Sequence, residues 1–272
     1  MNRVSCIAYV VVAGGLLAAL HVQASEEHPA LAYAKDGSGV YGYKDTPILP
    51  WCGYLVHDPD RPAPAKIDPG EPSTQDKVGT APSDAIVLFD GRDLSQWEPS
   101  EWKVIDGCLE AVGGGMLLTK EKFGDFQLHL EWQAPDPPCG DRFDRGNSGV
   151  LIMGQFEVQI FDSYTEKIYP DGQAAAIYGQ TPPLVNACRK PGEWQSFDIV
   201  FSAPVFKFGR LVKRATVTVL HNGVLAHHNQ EIMGKTGHRI LPYYSLLPER
   251  MSLELGAHNN PVRFRNIWIR PL

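Results

Sequence analysis

The chain is short of several things, and each shortage removes a class of function. It has no basic excess. The formal net charge is −6, so nothing prepares it for a phosphate backbone, and nucleic acid is not an expected partner. It has no second long apolar run. The stretch from Ile7 to Leu20 is almost wholly apolar, but it is shorter than the ~20 residues a spanning helix needs. It has no long segment with a 3.6-residue apolar period and no strand–helix–strand alternation, which sets aside helical bundles and doubly wound folds. Its cysteines fit no zinc-ligand spacing.

What is present begins with a leader. Arg3 gives a positive start, Ile7 to Leu20 an apolar centre with a Gly14-Gly15 break, and Val22-Gln23-Ala24 a cleavage site before Ser25. Residues 1–24 read as a secretory signal peptide, and Cys6 lies too early for a lipoprotein-type site. The expected protein is exported, periplasmic or secreted, with no membrane span after signal cleavage. Cys52, Cys108, Cys139 and Cys188 then remain in an oxidising compartment. They allow three disulfide pairings, and free buried thiols are the equal alternative, because a chain of this length has core enough without staples.

Residues 25–83 form a Pro-rich extended arm. Pro47, Pro50, Pro59, Pro62, Pro64, Pro69, Pro72 and Pro82 force extended backbone. Exposed rings are costly, so Tyr41, Tyr43, Trp51 and Tyr54 are expected to pack on the main domain. From Asp84 the pattern changes to short apolar runs broken by turn signals. Asp106-Gly107 and Asn222-Gly223 are two-residue hairpin turns, and Phe126 to Trp132 alternates strictly. Val150 to Ile160 reads as two strands around Met153-Gly154-Gln155. Residues 84–272 are therefore expected to be an all-β, two-sheet antiparallel jelly-roll sandwich.

The densest polar cluster is Phe156-Glu157-Val158-Gln159-Ile160-Phe161-Asp162. Alternation puts Glu157 and Gln159 on one face, with Val158 and Ile160 in the core and Asp162 at the strand end. A half-buried Glu beside such groups acquires a raised pKa and serves as a general acid or base. Arg145-Gly146-Asn147-Ser148-Gly149 enters the preceding strand, Glu131 shares a face with His129, and Glu254, Gly256 and His258 share another. One concave sheet face is expected to collect Glu131, Glu157, Gln159, Asp162 and His258, with Arg263 or Arg265 nearby. Polar groups and rings on such a face suit a small carbohydrate.

A resemblance runs across the predicted β-domain. It is carried in order by Leu88-Phe89-Asp90-Gly91-Arg92-Asp93-Leu94-Ser95-Gln96-Trp97, Gly146-Asn147-Ser148-Gly149-Val150, Phe156 to Asp162, Pro191-Gly192-Glu193-Trp194, Asn222-Gly223-Val224 and Pro261-Val262-Arg263-Phe264-Arg265-Asn266-Ile267. The ordered set resembles the 3-keto-disaccharide hydrolase family. The resemblance implies a concanavalin A-like jelly-roll and substrates whose glucosyl C3 hydroxyl has become a ketone. The family often has Leu-Gln-Asp-His where this chain reads Leu255-Gly256-Ala257-His258.

A C3 ketone acidifies the C2 hydrogen, so a carboxylate can remove it, the glycosidic oxygen can leave C1, and water can add. Such a site needs a base, an acid, and donors or a cation for the enolate. Glu157 fits the base and His258 the acid or a ligand to a divalent metal. Asp162 fits a ligand to such a metal or an orienting group, and Glu131, Asn147, Gln159 and Arg265 fit substrate contacts. Two other readings compete. One is a retaining jelly-roll glucanase, since Glu157, Gln159 and Asp162 have the spacing of its strand motif, although Gln159 replaces an acid. The other is a non-catalytic lectin-like module, which the same sandwich also supports.

Overall fold

The computed structural model describes residues 31–272 apart from 141 and 165. The expected signal peptide, its cleavage site before Ser25 and Cys6 lie outside the described residues. Two compact units form, divided between Lys66 and Ile67.

In the first unit β1 (Ala32–Tyr33) pairs antiparallel with β2 (Tyr41–Gly42). Lys44 Nζ donates to Asp58 Oδ1 at 2.5 Å and to Asp60 Oδ2 at 2.6 Å. Within this unit the rings of Tyr33 and Tyr41 meet edge to face at 6.3 Å between centroids.

The second unit is the sandwich. Its strands are β3 (Ile86–Phe89), β4 (Lys103–Ile105), β5 (Cys108–Glu110), β6 (Met116–Phe123), β7 (Phe126–Gln133), β8 (Ser148–Ile152) and β9 (Phe156–Ile160). They continue with β10 (Gln195–Ser202), β11 (Val205–Lys207), β12 (Arg210–Lys213), β13 (Thr216–His221), β14 (Val224–Glu231), β15 (Met251–Ala257) and β16 (Arg263–Pro271). Among the described residues, helix is confined to short 3-10 turns at Arg142–Asp144 and Pro170–Gly172.

The larger sheet runs β14-β13-β10-β7-β16-β5-β4, with β3 also on β16, and the smaller runs β6-β15-β8-β9. The Asp106-Gly107 and Asn222-Gly223 turns have positive φ at both residues, the geometry that matches strand twist in a two-residue hairpin. β6, β14 and the β11–β12 hairpin carry a weaker signal: β6 contains Lys120-Glu121-Lys122 before Phe123, β14 is polar at its end, and Phe208 occupies a left-handed turn position.

Between the sheets lie Leu128, Leu130 and Trp132 of β7, Phe197, Ile199 and Phe201 of β10, Val158 and Ile160 of β9, and Leu253 and Leu255 of β15, all essentially buried. Each such side chain contributes about 1.5–3 kcal/mol of burial, which fixes the face every strand turns inward. Trp97 is buried and donates its indole N–H to Leu88 O at 2.8 Å. The four cysteines Cys52, Cys108, Cys139 and Cys188 are free thiols.

Candidate active site

With the core between them, the two sheets turn their polar residues to opposite outer faces, and each face carries a cluster. The expectation that one face gathers Glu131, Glu157, Gln159, Asp162, His258 and Arg265 is therefore corrected. Glu131 and Arg265 lie outward on β7 and β16 of the larger sheet. Glu157, Gln159 and Asn147 lie on or beside β9 and β8 of the smaller one. Each strand has the alternation expected; their assignment to one sheet was the error.

On the smaller sheet, Glu157 stands opposite Leu151 and Gln159 opposite Gly149. A Cβ on Gly149 would strike the Glu157 carboxyl, so glycine at 149 makes the room that carboxyl occupies. β9 ends the four-strand ladder, but its outer edge is covered. Ile177 bridges Val158, Gln159 N–H donates to Ala176 O at 2.9 Å, and Tyr178 N–H donates to Glu157 O at 3.1 Å. This register makes Tyr178 the cross-strand neighbour of Glu157 on the same outer face, where paired Cβ atoms stand about 4.5–5.5 Å apart. Thr236 Oγ1 accepts from Glu157 N–H at 3.0 Å. The backbone around Glu157 is thus held from both sides.

The Glu157 carboxyl itself accepts no hydrogen bond and joins no ion pair among the described residues. Burial pushes its pKa up to about 7. Beside it the phenol of Tyr178 meets Tyr169 Oη at 2.9 Å and His238 Nδ1 at 3.1 Å. Burial, followed by the Tyr169 contact and the Glu157 charge, keeps Tyr178 protonated well above the usual range. The ring of Tyr169 lies over Gly172, where a Cβ would collide with it. The exposed ring of Phe143 follows at 6.0 Å from Tyr169. A hollow of about 210 Å³ opens between Tyr169, Tyr178 and His238.

The remaining expected residues take supporting places. Gln159 is 2% exposed and donates to Asn147 Oδ1 at 3.1 Å, while Asn147 donates to Phe143 O at 2.7 Å. Asp162 lies past the end of β9 and is 1% exposed; its Oδ2 accepts from Arg145 Nε at 2.9 Å and its Oδ1 from Tyr164 N–H at 3.2 Å. It fastens the 145–164 region rather than presenting a carboxylate to solvent. His258 is exposed beyond β15; nearby packing lowers its pKa, with the Asp144 charge opposing. Among the described residues, no three His, Cys, Asp or Glu side chains converge as metal ligands.

The larger sheet carries a different cluster. In β16 a bulge at Asn266, φ 48, breaks the register with β7 between Arg265 and Trp268, so Arg265 stands opposite Glu131 and Trp268 opposite His129. Arg265 Nε donates to Glu131 Oε2 at 2.6 Å, and Asn266 Nδ2 donates to Glu131 Oε1 at 2.8 Å. The guanidinium lies 4.2 Å from the centre of the Trp194 ring and donates to the Thr74 and Gln75 carbonyls. The Gln75 amide in turn both donates to and accepts from the Trp194 backbone. His129 sits between Asp198 Oδ1 at 2.7 Å and Glu131 Oε1 at 3.5 Å, stacked on Trp268.

Burial opposes the charge on both central groups, and the partners win. Carboxylate contacts raise His129 to about 9, while hydrogen bonds from His129, Ser73, Asn266 and Arg265 hold Glu131 at about 2. A cleft of about 740 Å³ runs under the 69–80 segment on this face. It is larger than the hollow lined by Tyr169, Tyr178 and His238, but Glu131, Arg265 and His129 within it are matched by each other and by that segment. On the smaller sheet the carboxyls of Glu157 and Glu254 have no partner among the described residues, and burial raises the pKa of both.

Tyr169, Tyr178, His238 and Thr236 had no signal in the sequence. They come from segments without strand alternation and reach β9 only through the 175–178 bridge and Thr236.

Residues 84–270 match the profile of a family described as 3-keto-alpha-glucoside-1,2-lyase-like domain. A curated protein of Bacteroides thetaiotaomicron, named 3-keto-disaccharide hydrolase, is 26% identical over 42% of this chain and 51% of its own length. The chain thus spans about half the length of that relative. Among solved structures, a Parabacteroides distasonis protein provisionally described as a glycosyl hydrolase is 41% identical, with a TM-score of 0.74, covering 84% of this chain and 100% of that one. Another from the same organism, described in the same way, is 25% identical with a TM-score of 0.53, covering 69% of this chain and 99% of its own.

Proposed function

The chain belongs to the 3-keto-alpha-glucoside-1,2-lyase-like domain family, and from that premise we propose that it is a carbohydrate-acting enzyme that cleaves 3-keto-glucosides or 3-keto-disaccharides at the face of Glu157. The observation that carries the reading is the Glu157 carboxyl: fixed by the sheet, without a partner among the described residues, and raised to about 7 by burial. A base with a pKa near the working pH is both available as carboxylate and strong enough to take a carbon-bound proton.

In this reading Glu157 removes the C2 proton, whose acidity comes from the C3 ketone. The glycosidic oxygen leaves C1, and addition of water completes a net hydrolysis. Gln159 and Asn147, hydrogen-bonded to each other, hold amides at the next positions along the face. The rings of Phe143 and Tyr169 offer apolar surface of the kind sugar C–H faces stack on. Elimination needs one carboxylate, whereas a retaining glycosidase needs two about 5–5.5 Å apart. The next acid across the sheet face, Glu254, pairs with Leu151, which pairs with Glu157. Two strand spacings, about 9–10 Å, therefore separate the two acids. Residues 1–24, read as a leader, support an exported enzyme in this proposal, and N-terminal sequencing of the protein from its native source should then begin at Ser25.

The test is Glu157→Gln, which keeps shape and removes the base. Turnover of a 3-keto-glucoside should fall at least ~10²-fold while the fold is kept. In the unsubstituted protein kcat/KM should rise with pH through about 7, because the carboxylate is the active form. Near-normal turnover by Glu157→Gln would remove the residue from the mechanism.

A further inference from the structure

Glu157 alone does not make enolate formation feasible, because the negative charge that leaves C2 settles on the C3 oxygen and needs a donor there. C2–H and C3=O are adjacent, so that donor must stand next to the base. Thr236 spends its hydroxyl proton on Gln155 O, whereas Tyr178 stands in this place, held opposite Glu157 by the Ile177–Val158 bridge and by its own N–H on Glu157 O.

We propose that the Tyr178 phenol binds the C3 carbonyl oxygen of the substrate and stabilises the enolate, so that Tyr178 is a catalytic residue beside Glu157. The inference rests on the reading of Glu157 as the base. Tyr178 Oη has two polar neighbours, Tyr169 Oη at 2.9 Å and His238 Nδ1 at 3.1 Å. When these two donate to it, the single Tyr178 proton is free to point at a ligand, and its oxygen is polarised by the donors behind it. Gly172 leaves room for the Tyr169 ring, and Gly179, at φ +67, turns the chain against Gly237 O immediately after Tyr178. The hollow between these residues is where the C3 end of a sugar would enter.

The step balances without an added reagent. The Glu157 carboxylate takes the C2 proton, the C–H electrons form C2=C3, and the carbonyl electrons move to O3, held by the Tyr178 O–H. The enolate then collapses: C3=O re-forms, C1=C2 forms and the C1–O bond breaks. The departing alkoxide takes a proton from water, and Glu157 returns its own proton to water.

The experiment compares wild type, Tyr178→Phe and Tyr169→Phe on methyl and 4-nitrophenyl 3-keto-glucosides, following both turnover and C2 deuterium exchange in heavy water. Tyr178→Phe keeps the ring, so melting should stay close to wild type. Exchange and turnover should both fall about 10²–10³-fold, the usual worth of one oxyanion donor, and equally for the two aglycones. Tyr169→Phe leaves the Tyr178 phenol in place and removes one donor to it, so its loss should be smaller. Exchange by Tyr178→Phe at the wild-type rate overturns the inference. So does recovery with the 4-nitrophenyl leaving group, which would move the phenol from O3 to the glycosidic oxygen. A wild type inert in both assays sinks the Glu157 reading and this inference with it, whereas an active wild type with an equally active Tyr178→Phe sinks the inference alone.

Discussion

Replacing Arg265 with alanine tests whether the charged cluster of the larger sheet is structural. The side chains of Arg265 and Glu131 are only 6% and 4% exposed. The substitution removes the guanidinium from Glu131, from the Thr74 and Gln75 carbonyls and from the Trp194 ring. Removing one partner of a buried pair costs about 3–5 kcal/mol, mostly because the remaining charge is stranded. Thr74 and Gln75 are themselves exposed, so water can replace their lost donor and the lower half of that range is expected. For a unit of this size each kcal/mol moves the midpoint about 2–4 °C, giving a fall of roughly 6–16 °C. Thermal and urea unfolding of the full chain measure it, and limited proteolysis should show new cleavage in 67–83. Arg265→Lys should recover only part, because an ammonium cannot fork to three acceptors while lying flat on an indole. Activity per folded molecule should be unchanged, since Glu157 is on the other sheet. A midpoint within ~3 °C of wild type, or a selective loss of turnover in a stable Arg265→Ala protein, would refute the reasoning.

Two further outcomes follow from the same geometry. Gly149→Ala should displace the Glu157 carboxyl and lower turnover at least ~10-fold with a small change in melting; unchanged kinetics would mean that the carboxyl position is not critical. His221 is buried against Trp132 and Phe197 with Nδ1 unpartnered, and burial, reinforced by the Arg189 charge, lowers its pKa to about 4. A depressed histidine pKa means stability that is present above about 6.5 and lost as pH falls towards 4. His221→Phe should flatten that part of the pH–stability curve, as urea titrations at pH 7 and pH 5 would show, and an unchanged slope would rule the residue out as its source.

The sequence by itself determined what is local. Strand identity, inward and outward faces, the two positive-φ hairpin turns and the outward position of Glu157 all follow from period-two alternation and turn chemistry, which act over a few residues. Tertiary structure decided which strands are neighbours. Glu131 and Glu157 sit at equivalent outward positions in their strands, so alternation treats them alike, yet the chain sends one to each sheet and the core separates them. Pairing between segments far apart in sequence also brought Tyr178 beside Glu157, Thr236 onto its backbone and residues 73–75 onto Arg265. Those contacts depend on burial of the whole interior, a sum over all strands at once, and no short stretch of sequence contains it.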